Sequence, residues 1–167
     1  MKRNIITLLI TVFAMLQATA QTYDNLWKQA DIIAQKDQPK SEIGVMKKII
    51  SKATAAKDYG QLLAAEIRQA ILWREISPDS LTPNVKRMET EALKAKDPVL
   101  KAVRYAVLGK VYREVNGKKS EEFFKKALEQ PELLARNAST GYVPLTLKGV
   151  DGSSFNNDLL HLIGFEA

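Results

Sequence analysis

PVLKAVRYAVLGKVYREV, residues 98–115, is the stretch whose spacing decides the fold. Leu100, Val103, Val107 and Val111 recur at three- and four-residue steps, and Tyr105, Leu108, Tyr112 and Val115 form a second stripe beside them. That period predicts a helix over 98–115. Lys110, Arg113 and Glu114 fall on the opposite side. An apolar arc this broad requires more than one neighbouring helix to cover it.

The flanking chain supplies those neighbours. Asn116-Gly117 stops this fifth helix, and Ser120 with Glu122 starts a sixth bearing Phe123, Phe124, Ala127 and Leu128. Pro131 opens a short seventh that runs through Leu133 and Leu134 to Asn137. Upstream, Tyr23, Leu26, Trp27, Ala30, Ile33 and Ala34 make an amphipathic first helix to about Lys36, and Asp37 is positioned to cap the next. The second helix extends from Pro39 to about Lys57 with Ile43, Met46, Ile50 and Ala53 on one stripe, widened by Val45 and Ile49. Asp58 caps a third that reaches Ile76 and turns Leu63, Ile67, Ala70 and Ile71 inward. Ser77-Pro78-Asp79-Ser80 reads as a loop, after which Thr82 and Pro83 open a fourth helix carrying Val85, Met88, Ala92 and Leu93. Residues 138–154 hold Gly141, Pro144, Gly149 and Gly152, which suits an extended crossing segment. Asn156 or Asn157 then caps a last helix from Asp158 to Ile163, ended by Gly164. The expected class is all-α: antiparallel helical hairpins stacked in a TPR-like array, with an irregular extended segment before a short C-terminal helix and no true sheet.

Residues 1–20 read as an export signal. Lys2 and Arg3 precede an apolar run from Ile5 to Leu16, and Ala18-Thr19-Ala20 supplies the small-x-small cleavage site. The run is too short to anchor stably in a bilayer. The expected product is therefore periplasmic or secreted after cleavage near Ala20, without stable membrane insertion. About 147 residues remain, enough for one domain: a helical-hairpin body at 21–137, with 138–167 packing on it. The whole chain has 25 basic and 19 acidic residues; losing Lys2 and Arg3 leaves 23 against 19, a mild excess of four. Acids such as Glu42, Glu66, Glu121 and Glu122 interrupt the lysines at 47, 48, 52, 57, 118, 119, 125 and 126, so these segments read as solvated faces with no nucleic-acid partner implied. There is no Cys, which leaves stability to packing and excludes thiol chemistry and Cys-based metal sites.

Tyr105, Leu108-Gly109 and Tyr112, followed by Phe124, Ala127 and a slightly early Pro131, resemble one tetratricopeptide-type repeat, in which Gly109 lets the paired helix approach closely. An ordinary hairpin with a small residue at a close contact fits the same residues. A second resemblance spans most of the chain. It is carried by Tyr23-Asp24-Asn25-Leu26-Trp27-Lys28, the Lys36 to Lys40 turn, Ala55 to Leu63, the Arg74 to Asp79 exit, and Asp158 to Gly164. Together these are similar to the N-terminal helical region of exported bacterial alpha-2-macroglobulin-like proteins. That resemblance implies a docking or positioning segment of a protease-trapping envelope protein, whose partners include downstream domains of a longer parent. With no Cys this chain cannot hold that family's thioester, and no reactive residue carries over.

Catalytic groupings are scarce. His161 is the only His; paired with Ser153 or Ser154 it lacks a nucleophile-elbow pattern, and it reads as a structural residue tying down the last helix. Asp151-Gly152-Ser153 with Asn156, Asn157 and Asp158 does not follow the EF-hand order, Gly149 and Gly152 lack phosphate-loop spacing, and Asn137-Ala138-Ser139 reads as a helix-ending turn. No catalytic residue, cofactor or metal is expected. Tyr105 and Tyr112 are the candidate partner-contact residues, either lining a groove or belonging to the core. The two functional expectations are the noncatalytic exported docking module and a stand-alone periplasmic TPR-like adaptor for a peptide or protein.

Overall fold

Local capping chemistry sets the helices of the computed structural model, which describes residues 22–113, 116–139 and 158–167. They are α1 (Tyr23–Ala34), α2 (Pro39–Ala56), α3 (Tyr59–Ile76), α4 (Pro78–Lys94), α5 (Pro98–Tyr112), α6 (Gly117–Ala127), α7 (Pro131–Ala135) and α8 (Leu159–Glu166). The export signal, Glu114, Val115, the expected extended segment beyond Ser139, Ser153, Ser154, Asn156 and Asn157 lie outside the described residues. Among the described residues there are no strands, only an isolated antiparallel bridge between Ala138 and Asp158.

Several boundaries differ from expectation. Asp37 does not cap α2: it takes a left-handed φ of 52°, and Gln38 occupies the cap position. The expected loop at 77–80 shrinks to one residue, because Ser77 is extended and Pro78 already has the φ that a first helical position needs. Pro83 therefore lies inside α4 rather than at its start. Asn116 caps α6 by accepting from the Lys119 N–H, so that helix begins three residues before Ser120. At the other end Asp158 caps α8 through the His161 N–H, and the helix continues through Gly164. Ile71 and Leu93, expected on apolar faces turned inward, are exposed.

From α1 to α6 each helix packs against the next, α7 packs on α8, and α3 also packs against α5. Contacts between the odd-numbered helices recur at similar separations. Trp27 in α1 donates to Gln61 in α3, 34 residues on. Tyr59 and Glu66 in α3 meet Asp97 and Arg104, each 38 residues on. Equal offsets at successive turns require that α3 and α5 run parallel in register. α3 is central among the packed helices and is buried along Tyr59 to Ile67. The broad arc of α5 is accounted for by its four neighbours: α3, α4, α6 and α8. Lys110, expected to face solvent, is covered by α8 and pairs with the buried Glu166, while the Arg113 guanidinium donates to the Glu166 carbonyl.

Gly109 lies at a close approach of α5 and α6. A Cβ there would sit 2.7 Å from the Phe124 ring, and its carbonyl already accepts from the Ser120 hydroxyl at 2.8 Å. Alanine would gain about 1 kcal/mol of helix propensity. Overpacking against a buried ring costs about 1–3 kcal/mol. Gly109→Ala is therefore expected to lower the urea midpoint, and adding Phe124→Leu to relieve the loss; a Gly109→Ala protein more stable than its parent contradicts the close approach.

Candidate functional site

Glu66 sits on α3 among Leu62, Leu63, Ala64, Ala65 and Ile67, all buried, and is only 6 % exposed. A carboxyl carried into such a position must find donors or keep its proton. Its Oε1 accepts from Arg104 of α5 at 2.8 Å, whereas its Oε2 is buried with no hydrogen-bond partner. The same Arg104 nitrogen reaches Glu91 of α4 at 2.8 Å, and Glu91 in turn pairs with Arg87. Arg87 lies 5.3 Å from the centre of the Trp73 ring. Burial pushes the Glu66 carboxyl up to about 7; Glu91 adds to the rise, and Arg104 and Arg87 oppose it. These groups line an open cleft of about 340 Å³ between α2, α3, α4 and α5, completed by Lys47, Gln69 and Asn84.

A second feature lies on α5 and α6. Phe123 stands between Tyr105 and Tyr112, with ring centres 6.0 Å and 5.5 Å away, and stacks nearly parallel to Tyr112 at 9°. All three rings are half-buried. The Lys119 ammonium sits 4.6 Å over Tyr112 and that of Lys126 sits 5.2 Å over Phe123. The Tyr112 hydroxyl donates to Glu89 at 2.7 Å, which ties the ladder to α4. Beside Tyr105 a cleft of about 250 Å³ is lined by Pro98, Lys101, Lys126 and Gln130.

Sequence reading therefore names two members of this ladder, Tyr105 and Tyr112, which the fold brings together around Phe123. It places Glu42 and Glu66 on solvated faces, and here the structure corrects it: both are buried, Glu42 paired with Arg68 and Glu66 with Arg104. The available signal was the setting of Glu66, an acid inside the otherwise apolar run from Leu62 to Ile67. His161 is exposed at the start of α8, its Nδ1 2.8 Å from Asp158 Oδ2, away from both features. Among the described residues no group of three His, Asp or Glu side chains is placed to hold a metal ion, and no helix is long and apolar enough to cross a membrane.

Compared with known proteins, the chain matches no family model, no curated protein and no solved structure.

Proposed function

We propose that this chain is an exported, noncatalytic helical module whose work is to hold a protein partner. The observation that carries the reading is the half-exposed ladder Tyr105, Phe123 and Tyr112, with Lys119 and Lys126 over its rings and a cleft at its open end. Aromatic groups held rigid by stacking lose little freedom on binding, and Tyr is enriched where proteins meet. The contacts from α1 to α3 and from α3 to α5 at offsets of 34 and 38 residues support a TPR-like adaptor. The stretches shared with alpha-2-macroglobulin-like proteins support the related reading of a positioning segment in an envelope protein. The two predict different DNA beyond codon 167: bait and complement-like domains for the segment, unrelated sequence for the adaptor.

The module reading is tested by capture from envelope extract with Tyr105→Ser, and with Lys101→Glu combined with Lys126→Glu. These substitutions alter the half-buried ladder and its cleft and leave the fully buried core residues in place. At least a tenfold drop in one captured protein is expected, with helical circular dichroism unchanged. Equal capture by parent and variants would show that this face is not the contact.

A further inference from the structure

We infer that the cleft beside Tyr105 takes the carboxylate of an acidic side chain on a protein partner, held by the Tyr105 hydroxyl together with Lys126 and Lys101. This deepens the module reading and rests on it: the aromatic ladder is the face, and the cleft sets the chemistry of what docks there.

Twice in this fold a Tyr and a Lys hold one carboxylate between them. Tyr59 donates its hydroxyl proton to Asp97 at 2.7 Å while the Lys57 ammonium stands 3.5 Å from the same oxygen. Tyr112 donates to Glu89 at 2.7 Å, and Lys119 stands 3.5 Å from that oxygen and 4.6 Å over the Tyr112 ring. Tyr105 and Lys126 make a third pair of this kind. Tyr105 and Tyr112 are seven residues apart on α5, and Lys119 and Lys126 seven apart on α6, about two helical turns in each case. The two helices run in opposite directions, since Lys119 meets Tyr112 while Lys126 lies 6.0 Å over Tyr105. The arrangement therefore repeats two turns along one interface, with Phe123 between the tyrosines.

The third pair differs in that the described chain gives it no acid. The Tyr105 hydroxyl reaches solvent and has no hydrogen-bond partner among the described residues, and neither Lys126 nor Lys101 is ion-paired there. Glu91, the next acid of α4 after Glu89, is held by Arg87 and Arg104. Glu129 lines the cleft and pairs with neither lysine. Two ammonium groups and a phenol O–H thus line one cleft with a single carboxylate among them. An incoming carboxylate can accept from all three, and hydrogen bonds to an ionised acceptor are the stronger kind. A cationic group would meet two like charges. Both filled examples use a side-chain acid, Asp97 and Glu89, and a partner's Asp or Glu presents the same group from outside.

The test is nitrogen–proton NMR of the full exported chain with three short peptides: one acetylated, amidated and carrying a single Glu, its Gln counterpart, and the Gln peptide with a free C-terminal carboxylate. The amide signals of Ala102 and Ala127 report on the cleft, and that of Tyr59, whose carboxylate is already in place, is the control. The Glu peptide is expected to move the cleft signals alone and to bind about tenfold more tightly than the Gln peptide. Tyr105→Phe keeps the ring and removes the O–H, and should weaken binding about fivefold. Lys126→Gln should weaken it roughly twofold to fivefold, as expected for an exposed ion pair. Glu129→Gln removes the competing acid and should tighten it. Equal shifts from the Gln peptide, no shift from the Glu peptide, or a response to the free terminus alone overturn the site. Capture from envelope extract separates the two readings: capture lost with Tyr105→Ser but kept by Tyr105→Phe, with the Glu peptide silent, removes this inference and leaves the module reading standing.

Discussion

Replacing Arg68 by alanine should remove roughly 3–5 kcal/mol of folding stability, the range expected when one member of a buried ion pair is deleted. Glu42 is 2 % exposed and takes its charge-assisted hydrogen bond from Arg68 Nε, across the interface of α2 and α3. Removing the guanidinium leaves that carboxylate buried with nothing to offset its lost hydration. The second contact of Arg68, to exposed Asp31 at 3.3 Å, adds little, because water screens it. Substituting Glu42→Met together with Arg68→Met should recover most of the loss, since two apolar chains of similar length remove the desolvation cost along with the attraction. Urea unfolding followed by circular dichroism measures both. A loss under about 1 kcal/mol for Arg68→Ala would mean that Glu42 finds water or another donor, and that this pair does not hold α2 against α3.

The helices were legible because their cause is local. A period near 3.6 in residues 98–115 follows from one face meeting a core, and Asp58 before Tyr59 caps α3 through a bond to the third residue beyond it, Gln61. Misplaced starts have the same local origin: Pro78, Thr82 and Pro83 each satisfy the chemistry of a helix beginning, and only the packing of α3, α4 and α5 selects among them. Tyr105, Gly109 and Tyr112 could be singled out since they share one helix with the stripe they interrupt. Glu42 and Glu66 could not be read correctly, because each is made tolerable by an arginine 26 or 38 residues away. Charge spaced along a helix looks alike whether its partner is water or a distant guanidinium. The cleft follows the same logic, being assembled from four helices whose contributions mean nothing singly.

Glu66 should make the protein lose stability as pH rises, opposite to the usual behaviour of a paired carboxylate. Its ordinary value is 4.5 and burial carries it to about 7 in the fold. Between those two values the folded protein holds a proton that the unfolded chain has released, so each increase in pH favours unfolding. The contribution is fully present below 4.5 and is lost as pH passes through 7; the separation corresponds to roughly 3 kcal/mol. Glu66→Gln isolates it, because the amide is neutral at every pH and Arg104 keeps Glu91 as a partner. Urea midpoints at pH 5 and pH 8 should diverge for the parent and stay closer together for the variant, which becomes the more stable of the two at pH 8. Identical pH slopes would mean that Glu66 is ionised throughout, and that Arg104 holds its charge against the burial. A slope retained by the parent and lost in the variant instead means that burial outweighs Arg104 and Arg87 and keeps the proton on Glu66 below about 7.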